Sequence, residues 1–269
     1  MANFPLWSAI IPTYGSKGVA LTQDCLRSLL HTTEKHEVIV VDDGSSPDIQ
    51  EQMGQACDEW GATFVARSEN GGFAKACNDG MKVSNGRVVI LVNNDTLQIG
   101  KTLDSLANFL VFSGGATAGC KLLYKDHTVQ HAGVCYVPGE LHGFWDHVGR
   151  FESRWANYVC RIRRSLCTGA MLAINRYVLE SVGFLDERYG MAVEDIDIQM
   201  RCIESGFSTF YCGIIEAYHL EGQTRGRTPQ EKAKYKDWTE AEERGMGLFF
   251  ERWKGVNFSQ FQIGAETFR

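Results

Sequence analysis

The chain of 269 residues lacks several features that would assign it to a class at once. Its nine cysteines include no Cys-x-x-Cys pair, which argues against a zinc ribbon or a thioredoxin-type redox motif. No apolar run approaches the roughly 20 residues of a membrane-spanning helix. The N-terminus has no basic segment and contains Pro5, so we expect no signal peptide. These absences favour a cytoplasmic protein with free thiols.

The sequence also has no excess of positive charge and no sign of separate modules. The net charge of -6 argues against a general polyanion-binding surface. A hydrophobic content of 44% with 22% charged residues is typical of a soluble globular protein. We find no internal repeat, low-complexity segment or clear linker. We therefore expect one domain over residues 1–269.

The first part of the chain alternates short apolar runs with amphipathic segments. Such alternation favours an α/β fold with a mainly parallel, Rossmann-like sheet flanked by helices. Proline disfavours strand interiors, so we expect the first strand to stop at Pro12. The predicted strands are residues 8–11, 37–42, 63–66 and 88–92, and the predicted helices are residues 20–32, 48–60 and 73–83.

The second part is less regular. Residues 122–164 carry several histidines and aromatic residues, and we interpret them as loops, a hairpin and a short helix over a cleft. A strand is predicted at residues 171–174, and helices at residues 176–182, 196–205 and 229–253. The last helix is strongly charged, and its pattern is compatible both with packing on the sheet and with a dimer contact.

Acidic and amide side chains follow two of the predicted buried strands. Asp42 and Asp43 end one aliphatic run, and Asn93, Asn94 and Asp95 end another. The carboxyl edge of a parallel sheet is where ligands bind in open α/β folds. Oxygen ligands gathered there suit a divalent metal that holds a phosphorylated substrate. The turn at Asp42 is equally compatible with a simple helix cap.

Two further segments add candidate groups. Asn70-Gly71-Gly72-Phe73 opens a helix, where backbone amides and the helix dipole favour a phosphate, and Asn78 lies two turns along. The segment is neither a Walker loop nor a dinucleotide fingerprint, and a plain helix start explains it too. Glu194 and Asp195 precede a helix, so they are either a catalytic carboxylate pair or an acidic first turn that stabilises the helix dipole.

His219 follows an apolar stretch, residues 214–218. It is a candidate second metal ligand beside Asp95, and imidazole suits manganese better than magnesium. A structural role is the alternative for a lone histidine.

In their order along the chain, these motifs resemble the family 2 glycosyltransferases with the GT-A fold, especially the rhamnosyltransferase-like branch. The likeness runs from Ser8 to about Gly222. It rests on Ile11-Pro12-Thr13-Tyr14, Val41-Asp42-Asp43-Gly44-Ser45, Glu69-Asn70-Gly71-Gly72-Phe73-Ala74, Leu91-Val92-Asn93-Asn94-Asp95, Gly169-Ala170, Gly183-Phe184-Leu185-Asp186-Glu187 and Glu194-Asp195-Ile196-Asp197.

The resemblance implies a role for each matched position. Asp95 and His219 would hold a divalent metal, Mn or Mg, although this chain has Asn93 where the family's two-acid motif has Asp. Asp195 would be the catalytic base, with Glu194 as its neighbour. The nucleotide-sugar donor would contact Pro12, Thr13, Tyr14, Asp42, Asp43, Asn70, Gly72, Asn78, Asn94, Gly169 and Ala170.

The implied reaction is an inverting transfer of a hexosyl or deoxyhexosyl group from a nucleotide-diphosphate sugar to an acceptor hydroxyl. A glycan or lipid-linked acceptor is our expectation, with the enzyme peripheral at the membrane in the second case. A nucleic-acid or protein acceptor and a homodimer stay open. The rivals are a sugar-nucleotide pyrophosphorylase, for which the loop at residues 15–18 is superficially suitable, and a non-catalytic nucleotide-sugar-binding relative.

Within the single domain we expect three parts. Residues 1–112 form the nucleotide-binding half, residues 113–227 the acceptor and catalytic half, and residues 228–269 a C-terminal helical extension. The polar loop at residues 222–227 is predicted to close over the donor.

Overall fold

The computed structural model describes residues 5–29, 32–139, 143–190, 192–221 and 236–261. Short 3-10 turns lie at Asn157–Cys160, Glu187–Tyr189 and Phe258–Phe261. The strands are β1 (Trp7–Thr13), β2 (His36–Asp42), β3 (Thr63–Ala66), β4 (Val88–Val92), β5 (Thr96–Gln98), β6 (Thr117–Leu123), β7 (Val129–His131), β8 (Val134–Val137), β9 (Phe144–His147), β10 (Ile162–Arg164), β11 (Met171–Asn175) and β12 (Thr209–His219). The helices are α1 (Gly15–Ser28), α2 (Pro47–Trp60), α3 (Phe73–Val83), α4 (Thr102–Ser113), α5 (Arg176–Val182), α6 (Glu194–Glu204) and α7 (Lys236–Arg252).

Ten of these strands form one mixed sheet. Its main path is β10-β12-β6-β11-β4-β1-β2-β3, with β5 paired to β12 and β7 paired to β6. The strands β4, β1, β2 and β3 run parallel, and β6 is parallel to β12. Strand β11 is antiparallel to both of its neighbours, β4 and β6. The prediction of a parallel-rich sheet flanked by helices is confirmed.

The prediction that the first strand stops at Pro12 is wrong. Strand β1 continues to Thr13, and Pro12 pairs in register with Val41 of β2. On its other side, β1 pairs with β4 only as far as Ile10. Pro12 therefore sits where β4 no longer accompanies the strand, and its missing N–H leaves no ladder bond broken there.

Alternation along the central strands divides the core between the two faces of the sheet. Ala9 and Ile11 of β1 pack in one cluster with residues of α1, α2 and α4. Ile10 packs in another cluster with residues of α3, α5 and α6. Both clusters are fully buried at these positions, so β1 carries side chains into two separate halves of the core.

Several boundaries and elements differ from prediction. Helix α1 begins at Gly15, five residues before its predicted start at Ala20. Helix α6 begins at Glu194 rather than at the predicted Ile196. The predicted hairpin is present as β8 and β9. Helix α4 and strand β6 were not predicted. Helix α7 packs on a third, aromatic-rich cluster that includes Tyr189 and Phe249.

Two further properties concern the helices and the cysteines. Across the ranges given above, no helix is both long and apolar enough to cross a membrane. All nine cysteines are free thiols, and eight of them are buried. Burial raises the pKa of the Cys25 and Cys57 thiols to about 12, so neither is a ready nucleophile at neutral pH.

Candidate active site

The turn after β2 uses Asp42 as a structural group. Its carboxylate accepts hydrogen bonds from the Ser45 backbone N–H (2.8 Å), the Ser45 hydroxyl (2.5 Å) and the Gln50 side chain (3.0 Å). The Ser45 hydroxyl oxygen in turn accepts from the Gly15 N–H at 2.8 Å. Asp42 thus ties the turn after β2 to the turn after β1.

Asp43 accepts hydrogen bonds from the backbone amides at the start of α3. Its carboxylate accepts from the backbone N–H groups of Gly71 (3.0 Å) and Gly72 (2.8 Å), and it forms an ion pair with Arg67. Burial raises the pKa of Asp43, although these donors oppose the shift. The sequence suggested that these two glycine amides bind a phosphate. In the structure they donate to the Asp43 carboxylate instead. A donor contact by Asn70 or Gly72 stays a prediction.

Asn78 joins α3 to the segment before α6. Its Nδ2 donates to the Leu185 carbonyl at 2.9 Å, and its Oδ1 accepts the Leu185 N–H at 3.1 Å. The same Nδ2 lies 2.9 Å from Glu187 Oε1. Both ends of this buried amide serve the fold, and a donor contact by Asn78 stays a prediction.

The ends of β1 and β4 meet through side-chain hydrogen bonds. Asn94 Nδ2 donates to the hydroxyl of Thr13 at 3.1 Å, and Thr22 Oγ1 lies 3.2 Å from the same oxygen. Thr13 and Thr22 are buried, whereas Tyr14 is exposed at the start of α1. Tyr14 therefore presents an accessible ring at the ends of β1 and β4.

Asp95 and His219 are brought together by the pairing of β5 with β12. Thr96 pairs in register with His219, and the Leu220 N–H donates to the Asp95 carbonyl at 2.9 Å. The His219 Nε2 atom lies 3.1 Å from Asp95 Oδ1 and 3.4 Å from Asn93 Nδ2. The predicted pair of metal ligands, 124 positions apart in the chain, is thus adjacent in the structure.

A hydrogen-bonded relay sets the orientation of the His219 ring. Gln130 Oε1 lies 2.9 Å from His219 Nδ1, and Gln130 Nε2 donates to Glu221 Oε2 at 3.1 Å. Since Glu221 fixes the amine end of Gln130, the carbonyl end faces Nδ1, and Nδ1 carries the proton. Burial alone would raise the pKa of Glu221. The charge of Arg150 and the hydrogen bonds that Glu221 accepts outweigh this effect, so the pKa is lowered.

This tautomer leaves the Nε2 lone pair directed at the Asp95 carboxylate. Two such acceptors 3.1 Å apart are complementary only when a cation or a second proton lies between them. A carboxylate oxygen and an imidazole nitrogen are suitable ligands for Mn2+. Among the described residues, no cluster of three or more His, Cys, Asp or Glu side chains is arranged to hold a metal. Asp95 and His219 therefore fit two positions in the coordination shell of a divalent metal.

Asp195 lies in the first turn of α6 and is held by backbone amides. Its Oδ2 accepts the Gly169 N–H at 2.6 Å, and its Oδ1 accepts the N–H of Ile196 at 2.8 Å. A Cβ on Gly169 would lie 3.1 Å from the Asp195 Cβ, so a glycine permits this approach. Val193, just before α6, has φ +61°, which is a strained conformation for a β-branched residue. The neighbouring Glu194 is buried.

Gln199 fixes the loop that approaches Asp195, and sequence reasoning missed it. Its Oε1 accepts the Cys167 N–H at 2.9 Å, and its Nε2 donates to the carbonyls of Cys167 and Asp195, both at 2.7 Å. The side chain is fully buried. The signal in the sequence is a glutamine one helical turn after the acidic pair, between the apolar residues Ile198 and Met200, since a buried amide needs partners.

The two groups of candidate residues lie at the same edge of the sheet. The Asn93 N–H donates to the carbonyl of Ala170 at 2.8 Å, and the adjacent Gly169 binds Asp195. Asn93 also contacts His219. A continuous series of contacts therefore connects the metal-ligand pair, Gly169 and Ala170, and Asp195.

Asp197, two residues beyond the candidate base, is a structural hub. Its fully buried carboxylate accepts from Tyr189 Oη and Trp253 Nε1, each at 3.0 Å, and from Arg201 Nε at 2.8 Å. Arg252 Nε lies 3.2 Å away. Since Arg252 and Trp253 lie at the end of α7 and just after it, this carboxylate fastens the C-terminal helix to α6.

The loop at residues 222–227, predicted to close over the donor, lies outside the described residues.

Comparison with known proteins gives two sequence relatives. The chain is 30% identical over 271 aligned positions, 96% of its length, to the uncharacterized protein y4gI of Sinorhizobium fredii. It is 28% identical over 150 positions, 54% of its length, to the O-antigen biosynthesis protein RfbC of Myxococcus xanthus. The chain spans only 29% and 12% of these two relatives.

Solved structures share the fold at low sequence identity. GalNAc-T7, determined with UDP, GalNAc and Mn2+, superposes with a TM-score of 0.67 at 14% identity, over 96% of this chain and 53% of that one. The mannosyltransferase PcManGT from Pyrobaculum calidifontis, in complex with GDP-Man and Mn2+, gives 0.59 at 16% identity, over 95% and 77%. Residues 8–181 match the family described as Glycosyl transferase family 2. With the GT-A-type sheet, this match over more than half of the sequence shows that the chain belongs to glycosyl transferase family 2.

Proposed function

We propose that this protein is an inverting glycosyltransferase that moves a sugar from a nucleotide-diphosphate sugar to an acceptor hydroxyl. The observation that carries the proposal is the placement of Asp195, bound to the Gly169 amide, on the edge where Asp95 meets His219. Family membership and the GT-A fold support the reaction class.

Asp195 is the proposed general base. The N–H groups of Gly169 and Ile196 bind its two carboxylate oxygens and fix its orientation, and the proposed role of this carboxylate is to take the acceptor's hydroxyl proton. The oxygen that loses this proton attacks the anomeric carbon from the face opposite the nucleotide. Direct displacement by this oxygen would invert the configuration at the anomeric carbon.

The donor nucleotide is proposed to lie over the ends of β1 and β4. Thr13 and Asn94 form the floor there, and the exposed Tyr14 ring lines the rim. The diphosphate would then extend toward Asp95 and His219. A divalent cation bound to these two residues would neutralise the diphosphate as it leaves. Gln130 keeps the Nε2 atom of His219 available as a ligand.

The sugar and acceptor are proposed from relatives and from the resemblance. The O-antigen biosynthesis relative favours a bacterial surface glycan or its lipid-linked precursor as the acceptor. The transferred group is proposed to be a hexose or deoxyhexose, in keeping with the rhamnosyltransferase-like motifs. Contact with a lipid-linked acceptor would make the protein peripheral at the membrane.

A binding screen followed by an assay tests this proposal. Thermal unfolding is measured with a panel of nucleotide-sugars, each with and without Mn2+, because selective binding raises the apparent stability. We expect one donor to raise the Tm, and only in the presence of metal, and that donor to be hydrolysed slowly without acceptor. No shift with any donor would contradict the proposal. Incubation with nucleoside triphosphates and sugar 1-phosphates serves as the control for pyrophosphorylase activity.

A further inference from the structure

A stacked pair of aromatic rings lies beside the candidate site. The ring centroids of Tyr124 and Phe151 are 5.3 Å apart, and the ring planes differ by only 10°. Phe151 is 71% exposed, so one face of its ring rests on Tyr124 and the other faces solvent. We call this pair the Tyr124–Phe151 shelf.

The register of the sheet places the shelf close to His219. Strand β6 is parallel to β12, and Leu123 pairs with Tyr218. Tyr124 directly follows the last residue of β6, and His219 is the last residue of β12, so Tyr124 leaves the sheet at the same edge, beside the strand that carries His219. The shelf is therefore at the carboxyl edge, where ligands bind in open α/β folds.

Hydrogen bonds hold the shelf in place and connect it to the relay behind His219. The Arg150 guanidinium donates to Tyr124 Oη at 2.8 Å and lies 3.5 Å from Glu221. The Phe151 N–H donates to the Val129 carbonyl at 2.7 Å. These contacts keep Phe151 at φ +64°, a conformation that is unfavourable for an aromatic residue. Strain retained beside a candidate site motivates a functional hypothesis.

The chemistry of the shelf matches a pyranose ring. One face of a pyranose presents C–H groups, which pack on an aromatic ring, while its equatorial hydroxyls need planar polar partners such as Arg150 and Glu221. Phe112, which is 93% exposed on α4, has no described aromatic ring stacked on it. Exposure alone therefore does not define the shelf; the stacked partner and the charged rim do.

We propose that the Tyr124–Phe151 shelf binds a sugar ring of the acceptor. The sheet order separates the shelf from the nucleotide end of the donor and so favours the acceptor as its ligand. The proposed nucleotide site lies over β1 and β4, whereas β6 lies on the far side of β11 from them. Gly169, which binds Asp195, lies just before β11 and so between the two sites. This inference rests on the proposed function.

Saturation-transfer-difference NMR with the full chain tests the shelf directly. The probes are maltohexaose, cellohexaose, chitohexaose and octyl β-glucoside. We expect saturation of ring C–H protons for at least one oligosaccharide, with affinity weakened about three- to tenfold in Phe151→Ala and retained in Phe151→Trp. Phe112→Ala is the matched control and should bind as the wild type does. Phe151→Gly, which the positive φ favours, should fold and also lose affinity.

Three results would overturn the shelf. They are no ring-proton saturation with any oligosaccharide, equal binding by Phe151→Gly and the wild type, and transfer confined to the alkyl protons of octyl β-glucoside, which would indicate a lipid contact. Donor hydrolysis without acceptor separates this proposal from the proposed function. Loss of sugar binding with unchanged hydrolysis supports the shelf, while sugar binding in a protein that hydrolyses no donor removes the transferase role alone.

Discussion

The first half of the molecule, from β1 to α4, and the second half, from β6 to α7, position their polar groups differently. In the first half, parallel strands such as β4 are buried along their whole length, and polar groups appear where the strands end. In the second half, strands of mixed direction are held by buried side-chain networks around Asp197, Gln199 and Gln130. Apolar packing of the strands therefore brings the first set of site residues to the sheet edge, where hydrogen bonds such as Asn94 to Thr13 fix them. The second set depends on buried hydrogen-bond networks that join its helices, strands and loops.

The largest effect that separates the halves is expected at Asp197. Asp197→Ala removes the acceptor of two guanidinium groups, a phenol and an indole, all packed around a buried position. Breaking such a buried network costs about 3–5 kcal/mol. Urea unfolding measures the loss of unfolding free energy. Asp58→Ala, at an exposed position of α2, is the control and should change it by less than about 0.5 kcal/mol. A loss of less than about 1 kcal/mol at Asp197 would contradict the network's role.

Removing the proposed base should affect turnover alone. Asp195→Asn keeps an oxygen for the Gly169 N–H but loses the carboxylate, so we expect turnover to fall at least about a hundredfold. Donor affinity, measured by calorimetry, should stay within about twofold, a free-energy change of about 0.4 kcal/mol. The exposed Asp24→Asn on α1 is the matched control. Near-normal turnover in Asp195→Asn would remove this residue from the base role.

A smaller effect is expected from the relay behind His219. Gln130→Leu removes the acceptor that orients the His219 ring, and the loss of such a partner weakens metal binding by roughly 10- to 100-fold. Electron paramagnetic resonance of free Mn2+ measures the affinity without any assay of activity. Gln55→Leu, at an exposed position of α2, should leave it unchanged. Equal affinities in the two variants would show that Gln130 does not act through the metal site.

The smallest change probes the apolar packing of the first half. Ile90→Val removes one methylene from fully buried β4, at a cost of about 0.5–1.5 kcal/mol in unfolding free energy. Manganese affinity and turnover should not change, because no polar group of the site moves. Val83→Ala, at an exposed position, is the control for urea unfolding. A large loss of activity in Ile90→Val would mean that packing of the first-half core and geometry of the site are coupled, which would contradict the difference between the two halves.

The sequence predicted local elements in both halves better than it predicted long-range side-chain contacts. Residues 63–66, 73–83, 88–92 and 176–182 were predicted with their observed bounds, because local periodicity determines such elements. Asp95 and His219, which the sequence suggested as ligands of one metal, are adjacent in the structure, and their role as metal ligands stays a prediction. Asp43 and Asn78 are bound to Gly72 and Leu185, and their role as bracing groups was not predicted. Their partners are distant in sequence, so no local pattern reveals them.

The buried thiols make local opening of the fold measurable through their chemical reactivity. Three of them, Cys25, Cys57 and Cys77, lie in α1, α2 and α3 of the first half, while Cys167 and Cys202 lie in the second. A thiol shielded from water reacts with an alkylating reagent only when its surroundings open. The rate at which each cysteine is modified under native conditions therefore reports how often each half comes apart, site by site and with no engineered label.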